Sequence, residues 1–186
     1  MANKIKYGLR NVYYAKVTEV DETTGALTYA TPVRIPGAVD LAMDPAGDAE
    51  PFYADDVTYW QGAANNGYSG NLEIALVPDS FRTDILGEVL NTNGVYYEKA
   101  DAQTSEFALL FEFQGDESGT RHCFYRCSVT RPGVNGHTKE ASVTPQTETL
   151  ALTAMTRVDD MAVKARCPKT AALYDTWFNA VPPFNP

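Results

Sequence analysis

The sequence predicts a mainly β domain with one helix packed on it. Three observations carry this. Segments alternating apolar and polar residues with a period of two recur along the 186-residue chain. Turns bearing glycine, asparagine and proline separate them. One stretch, LVPDSFRTDILGEVL at 76–90, reads plainly as an amphipathic helix, with an apolar arc at helical spacing. A chain of this length suits one domain, residues 1–186, large enough to bury a sizeable core.

Taken in order, NVYYAKVTEV (11–20) and ALTYATPVRI (26–35) flank the turn DETTG, so the simplest structure is a hairpin. A long excursion follows at 38–68, with Pro45 and Pro51, many small residues and the acids Asp40, Asp44, Asp48, Glu50, Asp55 and Asp56. It is expected to hold at most short strands, around Ala38–Met43 and Phe52–Trp60. An excursion this long in a compact domain is usually functional or mobile. NLEIALVP (71–78) is the next strand.

The helix is expected around 79–91, capped by Asp79 after Pro78 and stopped by NTNG (91–94). Phe81, Ile85, Leu86, Val89 and Leu90 share one arc, and Arg82 falls inside it, an odd place for a charge on a simple core helix.

EFALLFEF (106–113) and HCFYRCSV (122–129) make the best-patterned pair. Pairing Phe111 with Cys123 and Leu109 with Tyr125 would put Phe107, Leu109, Phe111, Cys123, Tyr125 and Cys127 on one buried face. The opposite face would carry Leu110, Phe124, Glu106, Glu112 and Arg126. That mixture suits a subunit interface or cover by another element. In TKEASVTPQTETLALTAM (138–155), Glu148, Leu150, Leu152 and Ala154 share one face and Thr149, Ala151 and Thr153 the other. MAVKARC (161–167) reads as a short strand, and TAALYDTWFNAV (170–181) as a brief helix with Leu173, Trp177 and Val181 in register.

Catalysis finds no support in the sequence. Cys123 and Cys127, four apart on a strand, would lie roughly 13 Å apart, too far for a disulfide or a shared ion. They read as small buried apolar residues, and Cys167 has no candidate ligand near it. His122 and His137 are the only histidines, and no nucleophile elbow, zinc helix or phosphate-binding glycine loop occurs. DPAGDAE (44–50) and ADD (54–56) are oxygen-rich but lack the alternating ligand order of a calcium loop. No cofactor or metal is implied. The net charge of −9 and scattered basic residues oppose nucleic-acid binding. No apolar run reaches membrane-spanning length, and MANKIKYGLR lacks the apolar core of a signal peptide, so synthesis in the cytoplasm is expected.

Taken together and in order, KYGLRNVYYAKV, GAVDLAMDPAGDAEPFYADDVTYW, NNGYSGNLEIALVPDSFRTDILGEVL, EFALLFEFQGDESGTRHCFYRCSVTRPG and TKEASVTPQTETLALTA resemble the major tail proteins of long, non-contractile-tailed bacteriophages and related prophages. These stretches span almost the whole chain. The immunoglobulin-like C-terminal domain of some relatives has no counterpart before the final FNP.

The resemblance implies a β-sandwich or partial barrel of two packed antiparallel sheets with one flanking α-helix, the fold of a tail-tube subunit that assembles into stacked hexameric rings in the virion tail. Its partners would be further copies of itself, with tape-measure and tail-end proteins, and DNA would pass through without specific binding. It makes the 38–68 excursion a loop reaching a neighbouring subunit or ring, poorly ordered until it does so. Candidate interface residues are then Asp44, Asp48, Phe52, Tyr53, Asp55, Asp56, Tyr59, Trp60, Arg82, Glu106, Glu112 and Arg126. The competing expectation is a monomeric β-sandwich binding module, for example for glycans, using Tyr59, Trp60 and Tyr68. A carboxylate-pair hydrolase ranks below both.

Overall fold

The run FALLFEF organises the fold, because six of its seven residues are buried and both of its faces are covered. The computed structural model describes residues 5–47, 49–115, 119–138 and 145–184. Among these residues the strands are β1 (Leu9–Val20), β2 (Leu27–Tyr29), β3 (Val33–Ile35), β4 (Ala38–Pro45), β5 (Ala49–Ala54), β6 (Val57–Ala63) and β7 (Tyr68–Ile74). A short helix α1 (Asp79–Asp84) follows, then β8 (Val89–Leu90), β9 (Tyr96–Tyr97), β10 (Phe107–Phe113), β11 (Arg121–Val129), β12 (Glu148–Met155) and β13 (Lys164–Cys167).

The main sheet is antiparallel and runs β2-β1-β10-β11-β12-β7-β4, with β3 on β1 and β13 on β11. β11 divides its pairing: Arg121–Phe124 pairs with β13, and Arg126–Val129 pairs with β12. The sheet therefore branches into two halves. Val12, Tyr14, Phe107, Leu109 and Phe111 from one half and Leu72, Ile74, Leu150 and Leu152 from the other enclose the main core. β1 comes close to β4 without pairing, so the barrel stays open.

α1 closes one end of this core. Phe81 meets the Tyr14 and Phe107 rings edge-on at 5.1 and 5.5 Å. Tyr14 donates a hydrogen bond to Asp84 at 2.9 Å, and burial pushes its phenol up to about 12. On the other face of β10, Ala108 and Leu110 join Ala15, Cys123, Tyr125 and Trp177 in a second core. Each fully buried Leu or Phe contributes about 1.5–3 kcal/mol over exposure, and burying β10 on both faces uses every apolar side chain it has.

Four expectations need correction. The β10–β11 register pairs Phe111 with His122 and Leu109 with Phe124, shifting by one residue before Phe107↔Cys127. The extra residue in β11 is a bulge. It sends Cys123 and Tyr125 to the second core, while Phe124 and Cys127 face the first. All six residues expected on one buried face are buried, but on two faces.

The helix is one and a half turns rather than the span 79–91. Gly87, at φ +78°, stops it. Val89 and Leu90 leave the arc for β8, and NTNG forms the β8–β9 turn, with Asn91 Oδ1 accepting from the Asn93 and Val95 amides at 2.9 Å. Asp79 lies in the first turn, and Pro78 stands at the cap with no side-chain hydrogen bond.

The expected terminal helix is a series of turns closed by i to i−3 bonds, such as Tyr174 N–H to Ala171 C=O at 3.1 Å. Trp177 is buried there and Leu173 is exposed. Finally, the 38–68 excursion is largely strand. β4 pairs along its length with β7 in the main sheet, and β5 and β6 form a separate hairpin.

Candidate functional site

The β5–β6 hairpin is an arm with almost no core of its own. Its two strands pair only with each other, placing Phe52 opposite Trp60 and Tyr53 opposite Thr58, with one extra residue in β6 between these pairs. Asp55 and Asp56, at φ 52° and 62°, form the two-residue turn. Two successive positive φ values mark the type of turn whose twist matches that of the strands, and aspartate tolerates it. Trp60 lies along the strand over Gly62, where an added Cβ would come within 2.2 Å of the indole.

Every large apolar side chain on this arm meets solvent: Tyr59 is 73% exposed and Trp60 62%, with Phe52, Tyr53 and Val57 similar. Large aromatics bury 150–250 Å² each when covered. At about two-thirds exposure, Phe52, Tyr53, Tyr59 and Trp60 present roughly 400–650 Å² in total. That is at least about half of the roughly 800 Å² each partner contributes to a standard interface. An isolated two-stranded hairpin is marginal in water, so these side chains stabilise little until something covers them.

The root of the arm is fixed. The Ala46 amide donates to Gly67 C=O at 2.9 Å, and the Asn66 amide donates to Ala46 C=O at 2.8 Å. Gly67, at φ +89°, passes so close to β12 that a Cβ would stand 2.0 Å from the Ala154 carbonyl oxygen. Residues 47–65 contain the acids Asp48, Glu50, Asp55 and Asp56 and no lysine or arginine. Asp48 lies outside the described residues. Asp44 sits exposed on β4 just before the arm.

The remaining candidate interface charges are matched within the chain. Arg82 reaches Glu88 at 3.2 Å and Glu148 at 3.1 Å, holding α1 to the start of β12. Glu148 also accepts from the Val77 amide at 2.5 Å. Arg126 and Glu106 form a two-pronged pair at 2.8 and 2.9 Å.

Glu112 is only 4% exposed and is held by Arg10 at 2.8 Å, Arg121 at 2.9 Å and Asn11 at 2.7 Å. Asn11 reaches it from the bulge between Arg10 and Tyr13, where its own φ is 50°. Arg121 then stacks on Tyr174 at 3.9 Å and donates to its carbonyl. The Glu112–Arg121 end of the mixed face is thus covered by the C-terminal turns, while Phe124, expected on that face, lies in the first core.

The cysteines are buried and free, and burial pushes the Cys123 and Cys127 thiols well up. His137 is exposed, and His122 stacks on Phe111 at 5.1 Å. Among the described residues, no three His, Cys, Asp or Glu side chains gather where they could hold a metal ion. None of the described helices is long and apolar enough to cross a membrane. Tyr68 is half-buried in the body with its ring against Phe124 at 5.2 Å, whereas Tyr59 and Trp60 are exposed on the arm.

No protein-family model matches the sequence, and no curated protein matches it. Among solved structures, the chain is similar to one in the cryo-electron microscopy structure of the anti-feeding prophage baseplate, six-fold symmetrised. The likeness has a TM-score of 0.51 at 12% identity and covers 92% of this chain and 99% of that one. At that identity it is a likeness of fold.

Proposed function

We propose that this chain is a structural subunit of a phage-type tail, assembling with its own copies into hexameric rings that stack into a tube. The observation that carries this is the arm: a regular hairpin with four large exposed aromatics, rooted by hydrogen bonds in a body where Arg82, Glu106, Glu112 and Arg126 are already paired. A regular element with no cover in its own subunit is built for another one. The residues expected to be buried on assembly are Phe52, Tyr53, Tyr59 and Trp60, rimmed by Asp44, Asp55 and Asp56. The fold likeness to a chain of a six-fold symmetrised prophage baseplate supports the same reading.

The charge fits this role. With a net −9, duplex DNA moving past such a subunit is repelled rather than retained. A few phosphate contacts per ring would multiply along a tube and hold the DNA. Tape-measure and tail-end proteins are the expected further partners, the virion tail the expected location, and the role is structural rather than enzymatic.

Negative-stain microscopy and sedimentation of the concentrated protein test the proposal. Six-fold rings or tubes are expected. A single monomeric species at every concentration contradicts it and favours the binding module.

A further inference from the structure

The two halves of the main sheet splay apart beside β13 and leave an open cleft of about 210 Å³. Its walls include Leu41 and Met43 of β4, Tyr68 of β7, Phe113 of β10, and His122 and Phe124 of β11. The aromatic rings are in mutual contact, Tyr68 with Phe124 at 5.2 Å and Phe113 with His122 at 5.6 Å. The volume is below the about 300 Å³ at which small-molecule pockets begin. It has room for one or two side chains.

Two lysines stand at its rim. Lys6 lies 4.9 Å from the Phe113 ring centroid and Lys164 lies 4.4 Å from that of Tyr68. Among the described residues, neither forms an ion pair and no carboxylate lines the cleft. The cleft is therefore apolar and aromatic within and positive at its edge. The arm has the complementary character, with aromatic faces, four acids and no basic residue.

We infer that this cleft receives the β5–β6 arm of a second copy of the chain, with an aromatic side chain of the arm in the cleft and its acids against Lys6 and Lys164. The inference rests on the self-assembly proposed above and names the surface that assembly uses. The chain's own arm cannot serve. Its root adjoins Tyr68 at the cleft, and a seven-residue strand, bent once by its bulge but not reversed, carries its tip up to about 23 Å away. A regular hairpin does not fold back on its own root.

Charge reversal in the full chain tests this. Lys6→Glu with Lys164→Glu alters two exposed side chains and should raise the concentration for half-assembly at least tenfold. An arm carrying Glu50→Lys, Asp55→Asn, Asp56→Gly and Thr58→Lys becomes basic while keeping a turn suited to positive φ, and should be equally defective. Combining both sets should recover assembly to within about threefold of the unaltered chain. Should either reversal lower the melting temperature, Lys6→Gln with Lys164→Gln should weaken assembly less and flatten its salt dependence. Unchanged assembly of the lysine variants, or no recovery on combination, overturns the docking site while leaving the self-assembly proposal standing. An unaltered chain that stays monomeric at every concentration overturns both.

Discussion

The β10–β11 hairpin and the β5–β6 arm are both antiparallel, both rich in aromatics and both interrupted by a bulge, yet β10 is buried on two faces and the arm is exposed on two. Strand propensity does not separate them. What differs is cover: β12, β7 and α1 close one face of β10, and the C-terminal turns around Trp177 close the other. The arm lies beyond the reach of any such element. Burial of this kind is a property of topology, and the proposed assembly would cover the aromatic strands that the fold leaves open.

The comparison can be broken by substitution, beginning with the largest effect on folding. Phe111→Ala should cost about 3–5 kcal/mol, since the ring packs against Phe113, His122 and Phe124 inside the body. For a chain of this size that is a fall in melting temperature of roughly 6–20 °C; a loss under about 1 kcal/mol would contradict its burial. Glu112→Ala should cost about 3 kcal/mol, because it leaves Arg10 and Arg121 without their buried acceptor. Chemical denaturation with Glu112→Gln alongside separates the lost charge from the lost packing.

A smaller effect is expected at Asp159. Its carboxyl accepts a hydrogen bond from Arg157, which holds it below the usual carboxylate range. The folded value is depressed, so the stabilisation is present above about pH 4 and is lost as pH falls through the folded value. Asp159→Asn should remove less than about 1 kcal/mol at neutral pH and flatten that part of the pH profile. Trp60→Ala should change stability least, by about 0.5 kcal/mol or less, while assembly falls sharply. A large loss of stability there would mean that the arm packs on its own body.

Much of the body was legible in the sequence. The alternation in ETLALTAM is the observed one, with Leu150, Leu152 and Ala154 inward and Thr149, Ala151 and Thr153 outward. The N-terminal hairpin forms as expected, its returning strand divided into β2 and β3 along β1. The β11 bulge was not legible, because a one-residue insertion leaves no mark in a strand buried on both faces. With Cys123, Phe124, Tyr125 and Cys127 all apolar, either alternation satisfies the pattern. The helix stops at Gly87, a lone glycine inside the apolar arc, whereas NTNG just beyond it is the stronger stop signal in the sequence. The arm was half legible: its aromatics and acids stood out, but prolines and small residues hid the regular pairing of β5 with β6. That Arg82 and Glu112 are satisfied internally depends on Glu148 and Arg10, distant in sequence and close only after folding.

The structure also sharpens where the arm can be cut. Removing the excursion from residue 38 would take β4 out of the main sheet and unfold the body. Ala46 and Asn66 already face each other across the root, so residues 47–65 can be replaced by a two-residue Asn-Gly turn. The direct test is to compare this shortened chain with the full one by thermal melting and by electron microscopy at equal concentration. The account predicts a cooperative melt within a few degrees of the full chain and no rings or tubes. Loss of the cooperative melt would place the arm in the core, and normal tubes without the arm would contradict its role in assembly.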